Sequence, residues 1–211
     1  MNEYYHLITT KTNIPVKNIL EIGSRDGNDA NVLRNLFNIP KENVWIVEPN
    51  PIKVAEIKMN YPNFNIFDVA IGEFEGEHDF NQVIGDNMSS GTSSLIDRND
   101  DWYAQNNTQK IKVNVINGKT LINLIGNEID ICKIDVEGLT YEVLKSFEDK
   151  LDYLKSFHIE CEHKEVWKNQ KLYDDVRNFL ISKDFIELSF NYTSSHQLQS
   201  DSIWVLKKYI K

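Results

Sequence analysis

The stretch Ile129–Leu144, "IDICKIDVEGLTYEVL", reads as a buried strand that breaks sharply into a helix. Its apolar run is short, is interrupted by Lys133, and ends in two carboxylates, Asp135 and Glu137, followed at once by Gly138. A run of that length bounded by a turn signal is a core strand, and "LTYEVLKSF" beyond it has helical spacing. The two acids admit two readings. Carboxylates favour the start of a helix, where unpaired N–H groups and the helix dipole attract them. In an open parallel sheet, ligands also bind outside the carboxyl ends of the strands. Asp135 falls at such an end. Glu137 is divided between the pocket and the helix start.

The same strand–helix rhythm runs outward in both directions. "VKNILEIG", "ENVWIVEPN" and "FNIFDVAIG" read as strands, separated by the helical segments "DANVLRNLF" and "PIKVAEIKMN". Beyond the opening stretch come the strand "SFHIECE", the helix "LYDDVRNFLISK" and two strands, "FIELSFN" and "SIWVLKKY". This alternation predicts parallel βαβ units. The segment between the last two strands is too short for a helical crossover, so these two are expected to be antiparallel. In the middle, "IGEFEGEHDFNQV" alternates around Glu75–Gly76 and predicts an extra β-hairpin. "IKVNVI" and "GKTLINLIG" read as a strand and a short helix. Residues 85–110 lack periodicity, and a loop that long in a compact unit is usually functional, here a substrate-side loop. No repeat or linker interrupts the chain, so one domain over 1–211 is expected.

Composition narrows the function. The 211 residues are 41% apolar and 26% charged, enough for one sizeable core, and the net charge of −9 repels a phosphate backbone. Nucleic acid is therefore not the expected partner. The two cysteines, Cys132 and Cys161, lie in apolar runs outside any CxxC pair and read as buried thiols. The first residues lack the basic start and apolar core of a signal peptide, and no apolar run reaches the ~18 residues of a membrane span. A cytoplasmic location is expected.

Three strand ends carry candidate ligand groups in sequence. "EIGSRDG", Glu21 to Gly27, places two glycines where backbone can approach a ligand closely. "VEPNP" offers Glu48, suited to a pair of ribose hydroxyls, and "FDVAIG" offers Asp68, suited to an adenine amine. Each alone is matched by an ordinary structural reading, but their spacing of about one βα unit each favours a nucleoside site.

The order "LEIGSRDG", "VEPNP", "FDVAIGEFEGEHDF", "SGTSSL", "KTLINL" and "IDICKIDVEGLTYEVLKSF" resembles the FkbM family of S-adenosylmethionine-dependent methyltransferases, from about Asn18 to Trp204. The resemblance implies a three-layer, Rossmann-like class I methyltransferase fold, α/β, with a mostly parallel seven-stranded sheet and an antiparallel last strand. It implies S-adenosyl-L-methionine as cofactor. By position, Glu21, Gly23, Ser24 and Gly27 would surround its methionyl part, Glu48 with Pro49 its ribose, and Asp68, Val69 and Ala70 its adenine. Asp135 would lie near the transferable methyl. Arg25 stands where many methyltransferases have a small residue, so its side chain must point away or meet the cofactor carboxylate.

The resemblance points to O-methylation of a hydroxyl on a carbohydrate or small-molecule metabolite. A hydroxyl is a poor nucleophile and calls for a base. "FHIECEH" supplies His158, Glu160, Glu162 and His163, of which His158, Glu160 and Glu162 share a strand face. Asp135, Glu160 and His163 are the candidate catalytic groups. The same three raise a metal reading, but their spacing matches no established metal motif and none is expected. His158 reads as a hydrogen-bonded core histidine. Arg98, Trp102 and Tyr103 in the long loop, with Glu137, are candidate substrate contacts. Two alternatives remain: an RNA 2′-O-methyltransferase, suggested by Lys133 beside Asp135, and a non-catalytic cofactor-binding module. The oligomeric state and the acceptor are not written in the sequence.

Overall fold

The computed structural model describes residues 1–84, 89–99, 107–193 and 196–211, with only the backbone of 89 and 90. In chain order the regular elements are α1 (Asn2–Lys11), β1 (Ile19–Ile22), α2 (Asn28–Phe37), β2 (Val44–Val47), α3 (Pro51–Asn60), β3 (Asn65–Phe67), β4 (Ala70–Ile71), β5 (Gly76–Val83) and β6 (Thr108–Ile116). Then follow α4 (Gly118–Ile125), β7 (Ile131–Ile134), α5 (Thr140–Lys145), β8 (Ser156–Glu162), α6 (Tyr173–Ser182), β9 (Phe185–Tyr192) and β10 (Gln199–Leu206).

Seven strands form the main sheet in the order β3-β2-β1-β7-β8-β10-β9. β1 is parallel to both β2 and β7, β2 to β3, and β7 to β8. β10 is antiparallel to both of its neighbours, β8 and β9. This is the class I methyltransferase sheet, with its reversed last strand. The chain winds from β1 out to β3 and then returns to the other side of β1. The switch point therefore lies between β1 and β7, where a doubly wound sheet opens a crevice at its carboxyl edge.

Strand alternation sorts the core into two layers. Leu20, Ile22, Cys132, Ile134, Phe157 and Ile159 pack against α4, α5 and α6. Ile19, Ile131, Ile203 and Val205 pack on the other face against α1, α2 and α3. The next positions on that face carry polar groups into a buried layer: Glu21, Lys133, His158 and Glu160 share the α1–α2 side by the same period of two. Cys132 and Cys161 are free and buried.

An extra antiparallel pair is present, β5 with β6, but it is not closed by the turn at Glu75–Gly76 that the sequence suggested. The turn at Glu75–Gly76 leads into β5 from β4, but β4 pairs in parallel with the far side of β6, so β6 is the centre of a second, three-stranded sheet. Helix α1 has no counterpart in the sequence reading. Its segment "NEYYHLITTK" is rich in aromatic and β-branched residues and has only a narrow apolar stripe. Tertiary contact holds it: Tyr4 and Ile8 are buried, and the Tyr4 hydroxyl lies 2.8 Å from Ser156 Oγ on β8.

The turn after β7 needs two successive left-handed residues, Glu137 (φ 44°) and Gly138 (φ 86°). A Cβ on Gly138 would stand 2.5 Å from the Trp167 ring. Gly138→Ala combines backbone strain with overpacking, and is expected to cost ~2–4 kcal/mol of stability. Urea unfolding measures it; a loss below ~0.5 kcal/mol contradicts this account of the turn.

Candidate active site

A cleft opens over the carboxyl ends of β1, β2 and β7, roofed by the second sheet and the 91–95 segment. Its floor is backbone. Gly23 has φ 78°, and a Cβ there would fall 1.8 Å from the Asp135 carbonyl oxygen. The Gly23 N–H donates to the Val47 carbonyl (3.0 Å), and the Asp135 N–H to the Ile22 carbonyl (3.0 Å), so three strand ends are stitched together here. Ser24 turns its Oγ onto the Gly27 N–H (3.0 Å), and Gly27 precedes α2 with φ 76°. Arg25 contributes its N–H to Glu48 Oε2 (2.8 Å). Its side chain lines the cleft and lies against Gly91, so it does not point away.

Glu48 is buried at the end of β2, and Oε1 accepts from the Asn50 N–H (2.9 Å). Burial pushes its carboxyl up to about 7, against the opposing pull of those two N–H groups. Each oxygen keeps a lone pair for a further donor. Pro49, Val69 and Ala70 also line the cleft, with Ile71 and Phe80 making an apolar wall. Two expected contacts lie elsewhere. Glu21 is buried beneath the floor, where Oε2 accepts from the Ala30 N–H in the first turn of α2 (2.9 Å). Burial pushes it up to about 8, offset by the Lys133 ammonium. Asp68 is exposed and faces Lys58 of α3 at 3.7 Å, because the chain leaves the sheet edge between β3 and β4 at that residue.

Beyond β7, carboxylate oxygens of Asp135, Glu137 and Glu160 lie within 4.8 Å of one another. Glu137 does not cap α5, which begins at Thr140 without a side-chain cap; it lines the cleft, and its carbonyl accepts from Ser94 Oγ (2.8 Å). Burial, and then the charges of Asp135, Glu162 and Glu160, push its carboxyl well above the usual range. Glu160 is pushed up to about 8 by burial and by Asp135 and Asp201; its Oε1 accepts from Gln199 Nε2 (2.9 Å). Like charges this close cannot all ionise freely, so Glu137 and Glu160 keep their protons above the usual carboxylate range. Lys133 supplies the adjacent cation, with Nζ 3.1 Å from Asp135 Oδ2 and 2.5 Å from Asp29 Oδ2.

The strand period separates His163 from this group. Its ring packs with Tyr173, Phe190 and Tyr192 on the α6 side, and Nε2 lies 2.8 Å from Ser200 Oγ. Glu160 and His163 have opposite parity, so they face opposite sides of the sheet, and the metal reading loses its imidazole. His158 is buried and stacked on Tyr4, with Nδ1 lacking a hydrogen-bond partner among the described residues. Burial and the Lys133 charge hold it down to about 3, a neutral core ring. Arg98 sits with its guanidinium over the Trp167 ring at 5.0 Å, and its charge is felt at Glu137. Trp102 and Tyr103 lie outside the described residues. The sequence reading missed Asp29, and it singled out neither Gln199 nor Asp201 within "SSHQLQSD", a stretch that reads only as a further wall of the pocket. Asp201 stands opposite Glu160 only through the β8–β10 register, which no local pattern encodes.

A glycine-floored cleft at the switch point of this sheet, with an acid closing β2 and acids after β7, defines a class I methyltransferase. The chain belongs to the methyltransferase FkbM domain family, whose model matches residues 21–191. That family is S-adenosylmethionine-dependent. Among solved structures, the chain is similar to methyltransferase FkbM from Methylobacillus flagellatus (TM-score 0.60, 12% identity), covering 90% of this chain but 43% of that one. It is also similar to TrmK from M. capricolum in complex with S-adenosylhomocysteine (TM-score 0.53, 13% identity, 99% and 70% covered). A third is magnesium protoporphyrin IX methyltransferase from Synechocystis with bound S-adenosylmethionine (TM-score 0.51, 12% identity, 92% and 71% covered). At these identities the likeness is one of fold. No curated protein matches the sequence.

The cleft fits S-adenosylmethionine. Gly23 leaves bare backbone, Glu48 has lone pairs to spare, and the Val69–Ile71 wall is apolar, as a nucleoside requires. The raised acids also set a pH dependence of stability. Between the ordinary carboxylate range and about 8, the folded protein holds a proton on Glu160 that the unfolded chain has lost, so stability falls as pH rises through that window. Glu160→Gln is expected to flatten this fall and to raise Tm by roughly 2–4 °C at pH 8.5, with no gain at pH 4.5. Parallel melting curves for variant and wild type check it.

Proposed function

We propose that this chain, acting as one domain over residues 1–211, methylates a hydroxyl group of a carbohydrate or another small-molecule metabolite. The observation that carries the reading is the convergence of Asp135, Glu137 and Glu160 beside the cleft. S-adenosylmethionine, when bound, supplies an electrophilic methyl group that needs no further activation. What the protein must add is alignment of the acceptor and a place for its proton. Glu48 would hold the ribose hydroxyls, and the backbone at Gly23 would let the methionyl portion lie close. An acceptor hydroxyl entering between Glu137 and Glu160 would give its proton to a carboxylate oxygen of the group. Raised proton affinity suits that task, since an acid of ordinary strength would take a hydroxyl proton poorly. Arg98 and the 91–95 segment would border the acceptor.

The RNA reading is not favoured. The Lys133 ammonium is nearly buried and engaged by Asp29 and Asp135, so it does not reach out to a phosphate. No helix among the described residues is long and apolar enough to cross a membrane.

Two measurements test the proposal. Glu48→Ala is expected to weaken binding of S-adenosylhomocysteine by ~10–100-fold in calorimetry, through loss of charge-assisted hydrogen bonds. No binding by the wild type at millimolar concentration would sink the cofactor site. In a methyl-transfer assay over a panel of sugars and hydroxylated metabolites, Glu160→Gln is expected to lower kcat by ~100-fold or more. The base must be ionised, so the wild-type rate should climb with pH and level off above about 8. A flat profile from pH 6 to 9 would remove the carboxylate group from the chemistry.

A further inference from the structure

We propose that Lys133 is a positioning residue for methyl transfer: its ammonium ties the first turn of α2, through Asp29, to Asp135, and sets a buried positive charge beside the acids that line the acceptor side of the cleft. The inference rests on the proposed reaction for its catalytic meaning, and on geometry for the rest.

Lys133 is the third residue of β7, with Glu21 beside it on β1 and His158 beside it on β8. Its side chain is 11% exposed, and Nζ reaches Asp29 Oδ2 at 2.5 Å and Asp135 Oδ2 at 3.1 Å. An ammonium taken out of water is costly unless its donors are matched. Here they are matched by acids from two different elements. Asp29 belongs to the helix that starts where the glycine loop ends, and Asp135 lines the cleft. The lysine thus spans from the cofactor side of the floor to the acceptor side, with both carboxylates held in one orientation.

The electrostatic surroundings give that span a second consequence. Facing this layer are Glu21 from β1, Asp29 from α2, Asp135 and Glu137 after β7, His158, Glu160 and Glu162 on β8, and Asp201 on β10. The amino terminus and Tyr4 approach from α1, and Arg98 approaches Glu137. His158 is neutral, and Arg98 rests on Trp167. Lys133 opposes the rise of both Glu160 and Asp201. Removing it leaves the acids to repel one another without that compensation, so they hold protons to higher pH. Removing Asp29 does the opposite: the ammonium is then shared by fewer acids, and the group ionises at lower pH.

The test compares wild type, Lys133→Met, Lys133→Arg and Asp29→Asn by carboxyl ¹³C NMR titration of the unliganded protein and by pH–rate profiles of methyl transfer. Lys133→Met should move the titration midpoints of Glu160 and Asp201, and the acidic limb of the rate profile, up by about one pH unit. Its rate deficit should be ~10-fold near pH 7 and shrink toward pH 9.5. Lys133→Arg should restore most of the wild-type midpoint. Asp29→Asn, at a partly exposed side chain, should move the midpoints down, and it carries the test if Lys133→Met does not fold. Unmoved midpoints in Asp29→Asn, or a Lys133→Met deficit equal at every pH, overturn the role of Lys133. Wild-type protein that transfers no methyl to any hydroxyl while these midpoints shift as described overturns the proposed acceptor chemistry instead.

Discussion

The backbone contact between Gly23 and Asp135 governs this site. At the β1–β7 seam the two strand ends run so close that a single Cβ on residue 23 would overlap the carbonyl oxygen of residue 135. The cleft is arranged around that contact. It brings the glycine loop under the cleft, fixes where Asp135 emerges, and leaves β2 free to present Glu48 one strand away. The doubly wound topology makes the seam possible, because only at the switch point do the connections of adjacent strands diverge and leave backbone uncovered.

Around this seam the protein places charge where most proteins place hydrocarbon. Glu21, Glu48 and Lys133 are all buried. Burial raises the acids and would expel the lysine's proton, yet the two effects are opposed by pairing and by backbone N–H groups aimed at the carboxylates. The cost falls on stability, and a site of this kind is where such a cost is expected. Glu21 illustrates a division of labour. It lies outside the lining of the cleft, and by accepting the Ala30 N–H it anchors the helix that the glycine loop enters.

Much of the site was legible in the chain because it obeys local rules. The glycine at Gly23, the acid at Glu48 and the small apolar pair Val69–Ala70 each sit at a strand end that periodicity alone can locate. Asp68 and His163 mark where such rules stop. Both are polar residues near strand ends. One points to solvent because the chain leaves the sheet there, and the other faces the aromatic side because parity sends it there. Helix α1 was illegible for a different reason: its propensity is poor, and it is held by Tyr4 and Ile8 against a sheet assembled from residues far along the chain.

The amino-acid order alone thus specified the alternation of strands and helices, the reversed final pair, the family, and the strand ends that open onto the cleft. These follow from short-range periodicity and turn chemistry, which each segment carries within itself. The acid group was settled only in three dimensions. Asp135, Glu137 and Glu160 meet through β7–β8 pairing and a left-handed turn, Asp201 joins through β8–β10 register, and Lys133 is matched to an acid more than a hundred residues away in sequence. Register and burial depend on the whole assembled sheet, and so does the proton affinity of every carboxylate within it.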